Sequence, residues 1–326
     1  MQRFKNILCV VEPRVARKLA VERAVALAES NQANLTVVDV IESITAGIGM
    51  PEGGPITADL QAAMESSHLQ ELETMVDPYR KRTQIKTKVL KGAHFLEIIR
   101  EVLRNGHDLV IKTAESSGML EYMFGSDDMH LLRKCPCPVW LVDSNSPKVY
   151  HRILAAVDVD DNYPPEELST RHLLNLQIIE MASSMALSEF ADLHIVHAWK
   201  AIGESAMRGA FMEKPEEEIV TYVDKVRQRH KQNMSALMDE VASKLERNTL
   251  DYLKLETHLL HGSPRKEIPA FTKDIKADLV VMGTVARTGI PGFFMGNTAE
   301  TILNRLNCSV LAIKPLGFET PVTIDN

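Results

Sequence analysis

"FKNILCVVEP" (Phe4–Pro13) returns near the middle of the chain as "YHRILAAVDV" (Tyr150–Val159), with Ile7 over Ile153 and Glu12 over Asp158. Each copy is a short apolar run of strand length, and such a run suits a strand covered on both faces of a sheet. Two more matches follow in the same order. "HDLVIK" (His107–Lys112) matches "ADLVVMG" (Ala277–Gly283), and "HLLRKCPCPVWLV" (His130–Val142) matches "TILNRLNCSVLAI" (Thr301–Ile313), with Cys137 over Cys308. Three matches in one order mark a duplicated unit. The expected division is a first domain over residues 1–146, a second over 150–316 and a tail over 317–326. "DSNSPKVYH" (Asp143–His151), polar and carrying a proline, forms the linker.

Both copies share one rhythm. Strands are expected at Asn6–Val11, Leu35–Ile41, Ile85–Leu90, Asp108–Ile111 and Val139–Val142, then at Ile153–Asp158, Leu193–Trp199, Lys254–Leu260, Leu279–Gly283 and Val310–Ile313. Helical patterns separate them, among them Thr57–Arg82, Pro215–Arg247 and Thr298–Asn307. Strands alternating with helices predict an α/β class: two tandem, doubly wound domains, each a five-stranded parallel sheet of Rossmann-like or flavodoxin-like type. Ligands in such sheets sit beyond the carboxyl ends of the strands.

The composition narrows the function. With a net charge of −7 over 326 residues there is no basic footprint, so nucleic acid is not an expected partner. No run of about 18 uninterrupted apolar residues occurs, so no membrane-spanning helix is expected. The four cysteines, Cys9, Cys135, Cys137 and Cys308, are too few and too irregular for a disulfide framework, and a reducing, cytoplasmic location is the expectation.

"VVMGTVARTGIPGFFMGNTAE" (Val280–Glu300) is the segment that carries chemistry. It reads as an apolar strand, a glycine-punctuated loop and a first helical turn. Glycine at the strand end lets backbone approach a ligand, and helix N–H groups after Gly296 suit phosphate oxygens. The spacing is Gly283-x2-Ala286-x9-Gly296-Asn297, with neither a P-loop lysine nor a dinucleotide G-x-G-x-x-G. Asn297 reads as an N-cap, with Glu300 three residues on completing a capping-box-like pattern that competes with phosphate for the helix donors.

With the following "ILNRLNCSVLAIKP", this segment resembles the C-terminal signature of the universal stress protein family, whose ATP-binding members carry G-x2-G-x9-G-[ST]. The likeness covers nearly the whole chain, and the separate segments match the tandem two-domain type. The resemblance implies the adenine nucleotide alpha hydrolase-like version of the fold, with the halves paired through Val139–Val142 and Val310–Ile313 as two subunits of a dimer would pair. It leaves further homo-oligomerisation open. It also implies an ATP site, with magnesium accompanying the nucleotide, in the second half only. Asp158 aligns with the acid on the adenine or ribose side, and Ala198 falls where main chain meets adenine. Gly283, Arg287, Gly296 and Asn297 occupy phosphate-loop positions. Ala286 stands for the second glycine and Asn297 for the serine or threonine, so the alternative is a vestigial loop, with the pocket taking an apolar small molecule or serving protein interaction. In the first half Glu12 replaces the aspartate, and "GSDDMHLL" places Asp127 and Asp128 where a triphosphate would be repelled.

Other constellations read as structure. His194/His197 and His258/His261 are each three apart, so within a strand their side chains face opposite sides and do not chelate. Cys135 and Cys137, near His130, read as buried thiols. Met181, Met185, Met234 and Met238 read as apolar helix faces. Glu216–Glu218 read as the start of a long helix. Residues 45–56 and 203–218 read as lids or as surface connections. No Ser-His-Asp arrangement or G-x-S-x-G elbow is present and no residue stands out as a general base, so the expected role is ligand-gated regulation in a stress response, with at most slow ATP hydrolysis.

Overall fold

The computed structural model describes residues 4–11, 17–44, 55–115, 124–209, 214–244, 252–284 and 295–324. In the first half the order is β1 (Asn6–Val11), α1 (Arg17–Asn31), β2 (Asn34–Ile41), α2 (Pro55–Val76), β3 (Ile85–Lys91), α3 (His94–Asn105), β4 (Leu109–Thr113), α4 (Ser126–Lys134) and β5 (Val139–Val142). The second half continues with β6 (Arg152–Ala156), α5 (Pro165–Glu189), β7 (Asp192–Trp199), α6 (Glu204–Arg208), α7 (Glu216–Lys244) and β8 (Leu255–His261). It closes with α8 (Pro264–Asp274), β9 (Leu279–Gly283), α9 (Asn297–Leu303) and β10 (Ser309–Ile313). The strands form one sheet in the order β3-β2-β1-β4-β5-β10-β9-β6-β7-β8. Each half is the expected parallel five-stranded unit.

The halves meet where β5 and β10 pair antiparallel, Val139 with Ala312, Trp140 with Leu311 and Leu141 with Val310. Strand alternation sends side chains to two cores. Ile7, Cys9 and Val11 join residues of α1, α2, α5 and α7 on one face, while Leu8 and Val10 join those of α3, α4, α8 and α9 on the other. Both cores run across the seam. Met181, Met185 and Met234 are buried in the first, and Met238 packs against it, as their spacing suggests.

Local departures from the expected boundaries have physical causes. α2 stops at Val76 because Asp77–Tyr79 is a 3-10 turn containing Pro78, which offers no N–H to continue the α-helix. β6 stops at Ala156 rather than Asp158: the Asp158 N–H donates to Asn175 Oδ1 at 3.0 Å, and its carbonyl accepts from Asn175 Nδ2 at 2.7 Å. With both backbone groups taken by a side chain of α5, the ladder cannot go on. α9 ends at Leu303 and tightens into i→i+3 bonds, Arg305 N–H to Ile302 O at 2.8 Å and Leu306 N–H to Leu303 O at 3.2 Å. Glu216, Glu217 and Glu218 fill the first turn of α7 as expected. The four cysteines are free and buried, and His130 stacks on Phe95 at 4.4 Å. Among the described residues no helix is long and apolar enough to cross a membrane. Residues 45–54, most of the first connection read as a lid or surface loop, and residues 210–213 of the second lie outside the described residues; the described part of the second holds α6 and the start of α7.

A buried arginine clamps the halves behind the seam. The Arg23 guanidinium lies 3.6 Å from the centroid of the Tyr150 ring and 5.6 Å from that of Trp140. It donates to Pro147 O at 2.6 Å and to Glu189 Oε1 at 3.1 Å, while Glu189 Oε2 accepts the Tyr150 N–H at 2.9 Å. Arg23→Ala strands a shielded carboxylate and the linker carbonyl, and is expected to cost about 3 kcal/mol, read as a lower urea midpoint. An unchanged midpoint contradicts the clamp.

Candidate functional site

A cleft of about 760 Å³ opens at the carboxyl ends of β6, β7 and β9. Its lining includes Asp158, Ala198, Gly283, Gly296 and Asn297, so five of the seven residues singled out from sequence come together. Ala286 and Arg287 lie outside the described residues. Asp158 sits two residues past β6, Ala198 is the penultimate residue of β7, and Gly283 ends β9. Leu174 and Ile178 of α5, Ile268 of α8 and Met282 of β9 add an apolar wall.

Gly283 lies against the end of the Leu174 side chain. A Cβ there would lie 2.6 Å from Leu174 Cδ2, so that side chain would have to shift to admit one. Sequence pattern assigned this glycine to backbone approach by a ligand; what approaches it in the fold is α5.

Asn297 does not cap α9. The N-cap is Gly296, with φ −62° and ψ 134°, and among the described residues no side-chain cap hydrogen bond is made. Asn297 is the first helical residue, and Glu300, the expected capping-box partner, instead pairs with Arg133 of α4. The competition expected between Asn297 and a phosphate for helix donors is therefore absent. An ion pair across the seam, invisible to local spacing, draws Glu300 away.

Asp158 is held by groups the sequence did not flag. Its Oδ2 accepts from Arg171 at 2.7 Å and from the Tyr163 hydroxyl at 3.0 Å. The Arg171 guanidinium stacks 3.5 Å from the Tyr163 ring centroid. Burial and the Asp158 charge push the Tyr163 phenol up to about 12, so it stays a donor. Among the described residues Asp158 Oδ1 accepts the Asp160 N–H, at 3.2 Å, with His197 Nδ1 farther off at 3.9 Å, so it retains acceptor capacity at the cleft. Beneath lies a histidine pair, with His197 Nε2 3.1 Å from His230 Nδ1 and His197 Nδ1 3.3 Å from Val157 O.

The corresponding corner of the first half is filled by its own side chains. Lys112 Nζ, fully buried at the end of β4, donates to Asp128 Oδ1 at 2.6 Å and to Glu115 Oε1 at 3.1 Å. Asp128 Oδ2 accepts the Glu115 N–H at 2.7 Å. Glu115 also lies against Gly125, where an added Cβ would be 1.8 Å from its Oε2. Burial pushes the Asp128 carboxyl up to about 6, against the pull of Lys112. Aligning the repeat places Met282 over Lys112 and Ala299 over Asp128, and both of those line the open cleft. One half has an internal ion pair where the other has space.

A family model for the universal stress protein family matches residues 3–143 and 150–314. The chain belongs to the universal stress protein family. This universal stress protein is 31% identical to universal stress protein E from Escherichia coli strain K12, over 100% of this chain and 99% of that one. A Pseudomonas aeruginosa UCBPP-PA14 protein described by the same family name matches in structure with a TM-score of 0.66 at 27% identity, covering 96% and 94% of the two chains. The universal stress protein from Archaeoglobus fulgidus DSM 4304 shares the fold, with a TM-score of 0.60 at 17% identity over 95% and 98%.

Two outcomes test the site's construction. Gly283→Ala is expected to destabilise by about 1–3 kcal/mol through overpacking, and Leu174→Ala in the same chain to recover part of that loss. A strictly additive double mutant contradicts the contact. For His197, burial holds the imidazole below its ordinary 6.5, aided by His230 and opposed by Asp158. The unfolded chain then binds the proton first, so this contribution is complete above 6.5 and is lost as pH falls. The melting temperature of His197→Gln is expected to fall less between pH 7 and 5 than that of the parent. Parallel curves contradict this.

Proposed function

We propose that this tandem universal stress protein is a cytoplasmic stress-response regulator whose second-half cleft binds one adenine nucleotide, ATP with magnesium, while the first half binds none. The observation that carries the reading is the contrast between the open cleft around Asp158 and Gly296 and the Lys112–Asp128–Glu115 plug at the matching corner. A volume of about 760 Å³ is within the range of small-molecule sites. Several features fit the nucleotide. The acceptor capacity left on Asp158 suits ribose hydroxyls, the β7 backbone at Ala198 suits an adenine edge, and the uncapped start of α9 suits phosphate oxygens. Magnesium accompanies the phosphates, as that ion is commonly bound. The role is gating by ligand occupancy, since no nucleophile–base pair lines the described part of the cleft.

The apolar wall of Leu174, Ile178, Ile268 and Met282 favours one alternative occupant, an apolar small molecule in the same cleft. Calorimetry of the full chain with Mg-ATP separates the two. One site per chain is expected, weakened at least tenfold by Gly296→Val, whose side chain obstructs the start of α9. No heat at millimolar nucleotide, together with an apolar compound in the mass spectrum of the natively purified protein, overturns the nucleotide in favour of the apolar ligand.

A further inference from the structure

A second cluster lies at the far end of the same strands. In the β7–β8 register His194 pairs with Glu256 and Val196 with His258. Registered residues of parallel neighbours share a face, as do residues two apart on a strand, so His194, Glu256 and His258 all project to one side. The spacing that separates His194 from His197, and His258 from His261, is irrelevant here, because the chelating partners are on adjacent strands. His194 Nδ1 is 3.1 Å from His258 Nε2, and Glu256 Oε2 is 3.6 Å from each of those nitrogens.

These lengths match a metal's coordination shell. A tetrahedral zinc ion with bonds of about 2.0–2.1 Å holds its ligand atoms about 3.4 Å apart. The three observed edges, 3.1, 3.6 and 3.6 Å, bracket that value. A hydrogen bond between two neutral imidazoles would explain the shortest edge alone; it would not explain a carboxylate oxygen equidistant from both rings. A shared cation explains all three. We propose that His194 Nδ1, His258 Nε2 and Glu256 form a three-ligand site for a zinc-class divalent ion, with water in the fourth position.

The surroundings fit a site of this kind. His194 is 9% exposed, and Phe271 of α8 walls the inner side, 4.6 Å from the His258 ring and 6.4 Å from that of His194. Glu256 is exposed, which gives the ion a path from solvent. On binding, the proton between the two rings moves to the other nitrogen of its own ring, and the metal takes its place. His194 precedes Ala198 by four residues, about 13 Å along the strand, so this site is separate from the nucleotide cleft and does not depend on its occupant.

Cobalt(II) is the direct probe, because a tetrahedral cobalt centre absorbs strongly in the visible. The full-length chain is expected to bind one equivalent with that absorption and to lose it when one equivalent of zinc is added. Glu256→Gln and His258→Gln should each weaken binding by more than the roughly 10–100-fold that loss of a hydrogen-bond partner behind a metal ligand costs. His172→Gln, remote on α5, should bind as the parent does. Glu256 is exposed, so E256Q keeps its fold by circular dichroism and decides the matter even if H258Q does not fold. No saturable tetrahedral absorption, or a stoichiometry and affinity unchanged in E256Q, overturns the proposal.

Discussion

The antiparallel pairing of β5 with β10 is the constraint from which the rest of the architecture follows. Each of these strands would otherwise be an exposed edge, with unpaired backbone groups that invite aggregation. Joining them satisfies both and fuses two five-stranded units into one sheet. Because the seam is antiparallel while each half is parallel, the carboxyl ends of the two sets of strands point in opposite directions. The two potential clefts therefore open at opposite edges, and each has the other half's helices beside it. Arg133 of α4 reaches Glu300 of α9, and Lys314, just past β10, donates to Leu132 O and Arg133 O at the carboxyl end of α4. A cation there complements the helix dipole. The same ammonium donates to Thr284 Oγ1 at 2.7 Å, the first residue after β9, so the seam is tied to the root of the cleft. Burial pulls the Lys314 ammonium down to about 7, with Cys135 and Cys137 opposing, a cost of placing it there.

Duplication supplied two equivalent corners, and the sequences then diverged at a few positions. In the first half a lysine on β4 and an aspartate in the first turn of α4 neutralise one another inside the protein. In the second half the same two positions are Met282 and Ala299, and space remains. Lys112 cannot leave without stranding a buried acid, and loss of Asp128 leaves the buried ammonium only Glu115 as a carboxylate partner among the described residues, so the plug is expensive to remove. This coupling accounts for the asymmetry better than the loop glycines do.

Much of the fold was legible because its signals are local or repeated: apolar runs of strand length, helix periodicity and three matches between the halves. The location of the cleft was legible too, since Asp158, Ala198, Gly283, Gly296 and Asn297 all reach it. What failed was the assignment of causes. Gly283 looked like room for a ligand, and it lines the cleft, but it also faces Leu174, a contact more than a hundred residues away in the chain. Asn297 looked like a cap because Glu300 stood three residues on, but Glu300 had a partner in the other half. Asp158 looked like a strand end because Asn175, which terminates the strand, is on a helix not yet folded against it. The histidines looked uninteresting because spacing along one strand says nothing about register with the next.

The central claim is that only the second half retains an open ligand corner. Hydrogen exchange with and without Mg-ATP, followed by mass spectrometry, tests it most directly because it resolves the two halves in one chain. Slower exchange at residues 157–160, 197–200 and 296–301, with no change at residues 112–115 and 125–130, is the predicted result. Protection in the first-half segments, or in neither half under conditions where nucleotide binds, would contradict it.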